Sequence, residues 1–554
     1  MKKSNLFLIL AFCMGFSPAS WGQITGYETA KKTDSIPTAP KEYRRPEGYD
    51  PVKYRYKYSI NELKNRYSEE IMQKGEKEYN RMLDMAAKGK WKPTFASIGR
   101  HEAPEWFQDI KFGMFIDWGP WSVAGYAVPK PSGPIYADWY EHRLDYDEAT
   151  RAYHIKNWGE DFERDDLIPL FKAERYEPEK LVNTAVEAGM KYIIPFSKCH
   201  SGFCLWPSSY THRDVGDMLG RDLTKPLADL CKQKGLKFGF YFSTVEYEYP
   251  VIDFSGNIIQ RCWNYPPKRG LHHVDYNPRL ETWAMGKIAV KDFLKEYLVP
   301  QAMEYIDMYD PDLLFYDGEW DDPVETLGAF EISSYFYNQA EGRKEVAVND
   351  RYGRMYDKRL RSHLGDVYTS EYHDMKDEDR LSHVWEENRS YSQTFSFNWS
   401  DTEKTVLSPD AFVEMFIDVV SKGGNMLLIT GLDAQGALPA MLEIRLKAIG
   451  KWLKVNGEGI YNTRGYSVVS EGKVHFTRSK DNRTVYAIAT DWPGKQLQLT
   501  AVTPAAGSQI YMLGYKEPLK WNTKDGVTTI TLPAKLQKAA NRPCDYAYTF
   551  VVKK

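Results

Sequence analysis

Two carboxylic acids, Asp317 and Glu371, each follow a short run of residues that is typical of a buried strand. Asp317 comes directly after Leu-Leu-Phe-Tyr in DPDLLFYDGEW, and Glu371 follows the run DVYTS. Cleavage of a glycosidic bond needs one carboxylate at the anomeric carbon and a second carboxyl group that protonates the leaving oxygen. The positions predict that a strand aims Asp317 at that carbon and that Glu371 handles the proton, although composition alone leaves other pairs open, including Glu319 and Asp350.

Reactive or hydrogen-bonding side chains also follow the other predicted strands. In (β/α)8 barrels the active site lies at the carboxyl ends of the strands, so six strand ends with such residues indicate one central pocket. These residues are Asp117 and Trp118; Lys198, Cys199 and His200; Tyr241; Asp317 and Glu319; Asn349, Asp350 and Arg351; and Glu371, Tyr372 and His373.

The elements that must position these residues alternate between short apolar runs and amphipathic helical patterns. Seven such runs follow Trp106: FGMFIDWG, KYIIPFSKCH, KFGFYFSTVEY, DLLFYDGEW, EVAVNDRYG, DVYTSEYH and NMLLITG. The alternation predicts βαβ units and a parallel sheet, and its length favours an α/β fold of the closed (β/α)8 type over residues 96–464.

The two ends of the chain have a different composition. Residues 23–95 begin as a Pro-rich linker and continue as a charged helical extension. Residues 465–554 contain short β-rich runs separated by turn residues, which predicts a C-terminal antiparallel β-sandwich.

The first 22 residues have the pattern of a secretory signal peptide. Lys2 and Lys3 precede a short apolar run, and the small residues Ser20 and Gly22 precede Gln23. We therefore expect an exported protein, in the bacterial periplasm or outside the cell. No later stretch reaches the roughly 18 apolar residues of a membrane-spanning helix, so no membrane span is expected.

The composition excludes several classes of partner. The net charge is -3, from 73 Lys and Arg against 76 Asp and Glu, so no basic field attracts nucleic acid. The 6 cysteines include no CxxC pair and no zinc-ligand spacing, so they indicate no zinc site. The 16 Trp and 39 Tyr suit a sugar-binding cleft and a large core equally well.

An ordered series of motifs over about residues 100–465 resembles the family-29 glycoside hydrolases, the α-L-fucosidases. The motifs that carry the resemblance are WFQDIKFGMFIDWGPWSV, DWY, KYIIPFSKCHSGFCLWPSSYT, GLKFGFYFS, EYLVPQAMEYIDMYDPDLLFYDGEW, VNDRYG, TSEYH, VWEENRSYSQTFSFNW and LKAIGKWLKVNGEGIYNTR.

The resemblance implies roles for individual residues. Asp317 resembles the nucleophile of a retaining mechanism, and Glu371 resembles the acid/base, with Glu386 of VWEEN as its competitor. The resemblance also implies a fucosylated glycan as the substrate and no cofactor. The residues that resemble sugar-pocket positions are Asp117, Trp118, Asp138, Trp139, Cys199, His200, Tyr241 and Arg351.

Three of these pocket positions depart from the family pattern. Asp117 and Cys199 stand where the family has histidines, and Asp138 stands where it has glutamate. A thiol is smaller than an imidazole and a weaker hydrogen-bond donor, and an ionised aspartate only accepts. These changes suggest a modified or similar sugar as the alternative substrate, either a 2-O-methyl-α-L-fucoside or an α-L-galactoside.

Two further hypotheses concern other kinds of function. A non-catalytic carbohydrate-binding barrel would retain the aromatic residues and lose the acid pair, whereas Asp317 and Glu371 are both present. A cysteine-nucleophile hydrolase would use Cys199 beside His200, but adjacent residues of a strand point to opposite faces, so we expect the two side chains not to meet.

Overall fold

The computed structural model describes residues 36–54, 68–130, 133–144, 147–246, 292, 294–318, 324, 327–351, 364–372 and 377–554. The predicted signal peptide, Glu319 and His373 lie outside these residues. Among the described helices, none combines the length and the apolar composition that crossing a membrane requires.

Eight parallel strands form a barrel. Their order is β5-β4-β3-β2-β1-β8-β7-β6, and a parallel bridge between Asn349 and Val367 connects the two outermost strands. The predicted (β/α)8 barrel is thus confirmed, although the charged strand β7 was not among the seven predicted runs. The strands are β1 (Phe112–Asp117), β2 (Tyr192–Lys198), β3 (Lys237–Ser243), β4 (Leu313–Asp317), β5 (Ala347–Val348), β6 (Val367–Glu371), β7 (Val384–Ser390) and β8 (Asn425–Gly431).

Helices cover the outside of the barrel. The helix at Pro178–Glu187 is typical: proline stands in its first turn, and its apolar residues Leu181, Val182 and Ala185 are buried. The described α-helices are α1 (Pro51–Tyr54), α2 (Ser68–Lys88), α3 (Phe95–Ile98), α4 (Glu105–Ile110), α5 (Trp121–Ala124), α6 (Tyr140–Arg143), α7 (Glu148–Asn157), α8 (Pro178–Glu187), α9 (Val215–Leu219), α10 (Lys225–Lys234), α11 (Val299–Tyr309), α12 (Ala329–Ala340), α13 (Asp377–Ser382), α14 (Pro409–Ser421) and α15 (Ala440–Asn456).

Aromatic rings fill the middle of the barrel. Phe115 of β1 contacts Phe196 of β2, Tyr241 of β3 and Phe315 of β4, with ring centroids 5.0, 5.7 and 4.8 Å away. These four residues therefore point inward. Because side chains alternate along a strand, Asp117 and Asp317, two positions further on, also point inward, at the carboxyl end of the barrel.

Polar residues close the opposite, amino-terminal end. Tyr192, the first residue of β2, donates a hydrogen bond to Glu386 Oε2 of β7 over 2.5 Å. A Cβ atom on Gly113 would lie 2.3 Å from the Tyr192 ring, so only glycine leaves room for this inward tyrosine.

One extra residue interrupts the register of β2. Phe196 pairs with Tyr241, but Lys198 pairs with Phe242, which places a β-bulge between Phe196 and Lys198. Lys198 consequently points out of the barrel, where its Nζ donates to Glu246 and to Gln301 of α11. The bulge thereby turns Cys199 inward.

Two antiparallel sheets follow the barrel, as predicted. Trp452 of α15 donates its indole N–H to Ala547 O over 2.9 Å, which connects them to the barrel. The sheet orders are β13-β16-β11-β10-β9 and β12-β15-β14. The strands are β9 (Thr463–Glu471), β10 (Val474–Ser479), β11 (Thr484–Ala489), β12 (Gln496–Leu499), β13 (Tyr511–Met512), β14 (Lys520–Lys524), β15 (Val527–Thr531) and β16 (Tyr548–Lys553).

The charged N-terminal extension forms α2, which docks on the barrel helices. Arg81 of α2 makes an ion pair with Asp307 of α11 at 2.7 Å and donates to Tyr335 of α12 over 2.5 Å. A planar guanidinium that contacts two neighbouring helices fixes the position of α2 on them.

A lysine is buried at the start of β1. Lys111 is fully buried, and its Nζ lies 3.5 Å from Gly423 O. Burial lowers the pKa of Lys111 to about 7. Because the folded protein binds this proton less tightly than the unfolded chain, Lys111 lowers the stability progressively as the pH falls from about 10 to about 7.

We therefore expect Lys111→Met to raise the free energy of unfolding by about 1–3 kcal/mol. The gain should be larger at pH 6 than at pH 9, because the ammonium group must be buried at the lower pH. Urea unfolding at both pH values measures it, with exposed Lys451→Met as the control. A stabilisation at pH 6 that is no larger than the one at pH 9, or a destabilisation at pH 6, would contradict the prediction.

Candidate active site

Asp317 and Glu371 meet at one site at the carboxyl end of the barrel. Arg351 lies between them: its Nη2 is 2.9 Å from Asp317 Oδ1, and its Nη1 is 3.1 Å from Glu371 Oε2. Asp317 ends β4, Glu371 ends β6, and Arg351 follows β5, so three rigid strands present the three side chains. A single guanidinium that contacts both acids places them around one reaction centre.

Tyr241 holds the second oxygen of Asp317. Its hydroxyl donates to Asp317 Oδ2 over 2.6 Å, and its ring stacks on Phe196 with centroids 3.7 Å apart. The packed ring fixes the direction of the hydroxyl. With Arg351 on Oδ1 and Tyr241 on Oδ2, the plane of the carboxylate is determined from two sides.

His200 is a neutral neighbour of Asp317. Its Nε2 lies 3.6 Å from Asp317 Oδ2, and its Nδ1 lies 2.7 Å from Ser243 Oγ. The Ser243 hydroxyl donates to Val245 O, so Nδ1 of His200 must be the donor to Ser243. Burial lowers the pKa of His200 to about 4, against the opposing effect of Asp317, and the ring is neutral at physiological pH.

Tyr136 holds Glu371 from the loop before α6. Its hydroxyl donates to Glu371 Oε1 over 2.6 Å. Trp139 belongs to the same loop and meets the His200 ring edge-on, with centroids 5.4 Å apart. Nothing in the sequence pattern identified Tyr136, because it belongs to no predicted strand.

The backbone turns sharply after Glu371. Tyr372 has φ 56°, a left-handed conformation that costs a non-glycine residue about 1–2 kcal/mol. Its hydroxyl accepts a hydrogen bond from Ser390 N and donates one to Ser392 O, each over 3.2 Å. These contacts with β7 and the segment after it stabilise the turn that follows the acid.

Removing the Tyr136 hydroxyl tests its role. Hydrogen bonds to charged groups contribute about 1.5–3 kcal/mol, so we expect Tyr136→Phe to lower kcat about 10- to 100-fold. KM should change little, because the phenyl ring retains the packing of the loop. Steady-state kinetics measures this, and a kcat within twofold of the wild type would show that the hydroxyl does not orient Glu371.

Asp117, Asp138 and Cys199 lie close to one another and form a second, acidic side of the site. Trp121 Nε1 donates to Asp117 Oδ1 over 3.0 Å, whereas Asp117 Oδ2 has no hydrogen-bond partner among the described residues. Burial raises the pKa of Asp117 to about 8. Burial and then the proximity of Asp117 raise the pKa of Asp138 well above its ordinary value.

Cys199 is unsuited to be a nucleophile. Burial, then Asp138 and Asp117, raise the pKa of its thiol well above the ordinary value, so the thiolate is disfavoured. Its Sγ lies 4.0 Å from the Tyr241 hydroxyl, and the Nδ1 of His200 is engaged by Ser243. Cys199 lies near Tyr241 and His200 lies near Asp317, because strand β2 ends at Lys198 and both residues follow it. That the two side chains do not meet each other stays a prediction. The thiol is nevertheless not activated.

Two of the predicted site residues do not lie at the site around Asp317 and Glu371. Trp118 points out of the barrel, donates to Asp433 O over 2.7 Å and packs against Phe171, so its assignment to the sugar pocket was wrong. Glu386 belongs to the amino-terminal end of the barrel with Tyr192 and is not a competitor of Glu371 for the proton. Trp118 directly follows the inward-pointing Asp117, so the alternation of side chains turns it outward. Glu386 lies near the start of β7, far from the carboxyl end of that strand.

Asp350 has a structural role. Its Oδ1 accepts hydrogen bonds from both the backbone N–H and the hydroxyl of Thr369, at 2.9 and 3.0 Å, which joins β6 to the chain after β5. Glu319, the other member of that alternative pair, lies outside the described residues. The part of the chain that the structure describes contains no cluster of His, Cys, Asp and Glu suited to a metal ion.

Family models match most of the chain. Residues 80–458 match the model described as Alpha-L-fucosidase, and residues 469–553 match the one described as Alpha-L-fucosidase C-terminal domain. The first match spans the barrel and the second spans most of the sandwich.

Curated relatives and solved structures agree with these matches. The alpha-L-fucosidase of Branchiostoma floridae is 28% identical over 487 residues, which are 85% of this chain and 98% of the relative. Human tissue alpha-L-fucosidase is 28% identical over 474 residues, 83% of this chain and 91% of the relative. The crystal structure of Thermotoga maritima alpha-fucosidase with a mechanism-based inhibitor is 29% identical, covers 84% of this chain and 100% of its own, and has a TM-score of 0.68.

Proposed function

The chain belongs to the alpha-L-fucosidase family of glycoside hydrolases, and from this membership we propose that it removes terminal α-L-fucosyl residues from glycans with retention of the anomeric configuration. The observation that carries the proposal is the contact of Arg351 with both Asp317 and Glu371. A retaining enzyme needs two carboxyl groups at one sugar carbon, which this geometry supports.

In the first step Asp317 attacks the anomeric carbon. A carbon–oxygen bond forms between Asp317 and that carbon, the bond to the leaving oxygen breaks, and Glu371 gives its proton to the leaving oxygen. Arg351 and Tyr241 hold the attacking carboxylate in position before the reaction. In water, solvent molecules would have to reorganise around it during the reaction.

In the second step water attacks the same carbon. Glu371, now a carboxylate, takes the proton from the water, and the bond to Asp317 breaks. The hydrogen bonds from Arg351 and Tyr241 stabilise Asp317 as its negative charge returns. Tyr136 keeps Glu371 in one position for both proton transfers.

The test is hydrolysis of aryl α-L-fucosides, with the first-formed anomer identified by NMR before mutarotation. We expect α-L-fucose as the first product. A β-anomer would exclude retention, and a folded protein that binds L-fucose without turning over any fucoside would favour the non-catalytic carbohydrate-binding barrel.

A modified sugar is the second candidate substrate, favoured by the acidic side formed by Asp117, Asp138 and Cys199. Aryl glycosides of 2-O-methyl-L-fucose and L-galactose, assayed beside the plain fucoside, test it. A kcat/KM that is highest for the plain fucoside would exclude this second candidate.

We also propose that the protein is exported. The pattern of residues 1–22 supports this, with cleavage before Gln23. N-terminal sequencing of the protein from the periplasmic and culture fractions is the test. A mature protein that retains Lys2 and Lys3 in the cytoplasmic fraction would overturn the proposal.

A further inference from the structure

Asp117 carries a buried carboxyl oxygen at the inward-facing end of β1. It ends β1 and points inward, two positions after Phe115. Its Oδ1 accepts from Trp121, while Oδ2 is buried with no hydrogen-bond partner among the described residues. A buried polar oxygen without a partner costs about 1–3 kcal/mol, which a bound ligand would recover.

The surroundings of Asp117 do not neutralise a negative charge. The groups around it are the indole N–H of Trp121, the hydroxyl of Ser396, the carboxyl of Asp138 and the thiol of Cys199. None of these is a cation, and Asp138 is itself acidic. An ionised Asp117 would be an unpaired buried charge beside a second carboxyl group, which is strongly unfavourable.

We propose that Asp117 binds the substrate as a neutral carboxylic acid, whose Oδ2 donates its proton in a hydrogen bond to an oxygen atom of the bound sugar. This inference rests on the proposed function, since it concerns the same site. Carboxylic acids in apolar sites are held neutral at pH 7 and act as donors in this way. The recognised sugar must offer an acceptor at this position, which a hydroxyl or an ether oxygen can do and a deoxy carbon cannot.

Replacing Asp117 by asparagine tests whether this position acts as a hydrogen-bond donor. The Asp117→Asn amide oxygen can accept from Trp121, and its NH₂ group then occupies the position of Oδ2–H. We expect kcat/KM at pH 7 to lie within about threefold of the wild type for Asp117→Asn, and about 10- to 100-fold lower for Asp117→Ala, mainly through KM.

The pH dependence provides an independent result. The neutral form of Asp117 is present below its raised pKa and is lost above it, so wild-type kcat/KM should fall about tenfold per pH unit beyond about pH 8. Asp138→Asn is the control: it removes the neighbouring carboxyl group, so the fall should persist and at most shift to lower pH, whereas Asp117→Asn should abolish it.

Deoxy substrates identify the oxygen that accepts the proton. Aryl α-L-fucosides that lack the 2-, 3- or 4-hydroxyl are compared in the wild type and Asp117→Ala. Loss of the accepting oxygen should lower wild-type kcat/KM about 10-fold or more and have little further effect in Asp117→Ala.

Contrary outcomes separate the two proposals. A wild type that hydrolyses no α-L-fucoside overturns the proposed function and this inference with it. If the wild type is active, two results overturn the inference alone. One is an Asp117→Asn variant as impaired as Asp117→Ala, and the other is a wild-type kcat/KM that is flat from pH 7 to pH 9.5. Should the variants unfold, isotope-edited infrared spectroscopy of the wild type decides, since absence of a protonated aspartic acid band at pH 7 contradicts the neutral form.

Discussion

Asp317→Asn should lower kcat for α-L-fucoside hydrolysis by about 10⁴-fold or more, equivalent to about 5.4 kcal/mol of transition-state stabilisation. An amide cannot form the glycosyl ester, while its oxygen can still accept a hydrogen bond from Tyr241. We therefore expect the fold and the binding of L-fucose to persist. Steady-state kinetics and calorimetric binding of L-fucose measure the two effects separately.

A smaller residue at the same position allows chemical rescue. In Asp317→Gly, azide can enter the space of the carboxylate and attack the anomeric carbon from the same face. The expected product is β-L-fucosyl azide, because only one displacement occurs. Asp317→Asn activity within tenfold of the wild type, or rescue that yields the α-azide, would exclude Asp317 as the nucleophile.

Glu371→Gln should have an effect that depends on the leaving group. Natural glycans and alkyl fucosides need protonation of the leaving oxygen, and we expect their kcat/KM to fall about 10²- to 10⁴-fold. Aryl fucosides with acidic phenols need less assistance, so their first step should be affected less. The second step still lacks its base, and the glycosyl–Asp317 ester should accumulate where mass spectrometry can detect it.

Glu386→Gln is the matched control for Glu371→Gln. Both replace a glutamate by its amide, but Glu386 accepts its hydrogen bond from Tyr192 at the amino-terminal end of the barrel. We expect the Glu386 variant to keep the leaving-group dependence of the wild type. If Glu386→Gln accumulated the ester and Glu371→Gln did not, the assignment of the acid/base would be reversed.

The barrel could be predicted from the sequence because most of its strands are apolar on both faces. Strand β7 escaped prediction because its residues Glu386, Glu387, Asn388 and Arg389 look like a solvated loop. In the structure all but Arg389 are fully buried. Inward polar residues at both ends of a barrel strand break the apolar pattern on which the prediction depends.

The site was predictable where a side chain follows its strand directly. Asp317 and Glu371 end their strands, Arg351 comes three residues after the end of β5, and the structure brings the three together. Trp118 was misplaced because strand alternation turns it outward, and the bulge before Lys198 reverses that alternation in β2. Tyr136 reaches Glu371 from a loop, which no local periodicity can reveal.

The left-handed turn at Tyr372 has a consequence for engineering. The direction of Glu371 depends on a backbone torsion that glycine would adopt without cost, yet glycine would lack the hydroxyl that contacts Ser390 and Ser392. Because Tyr372 is also buried and its ring packs against Phe395, glycine would lose more through packing than it would gain from the relaxed torsion. Mutant libraries that aim to broaden the range of accepted sugars should leave Tyr372 unchanged and randomise the acidic side of the site instead.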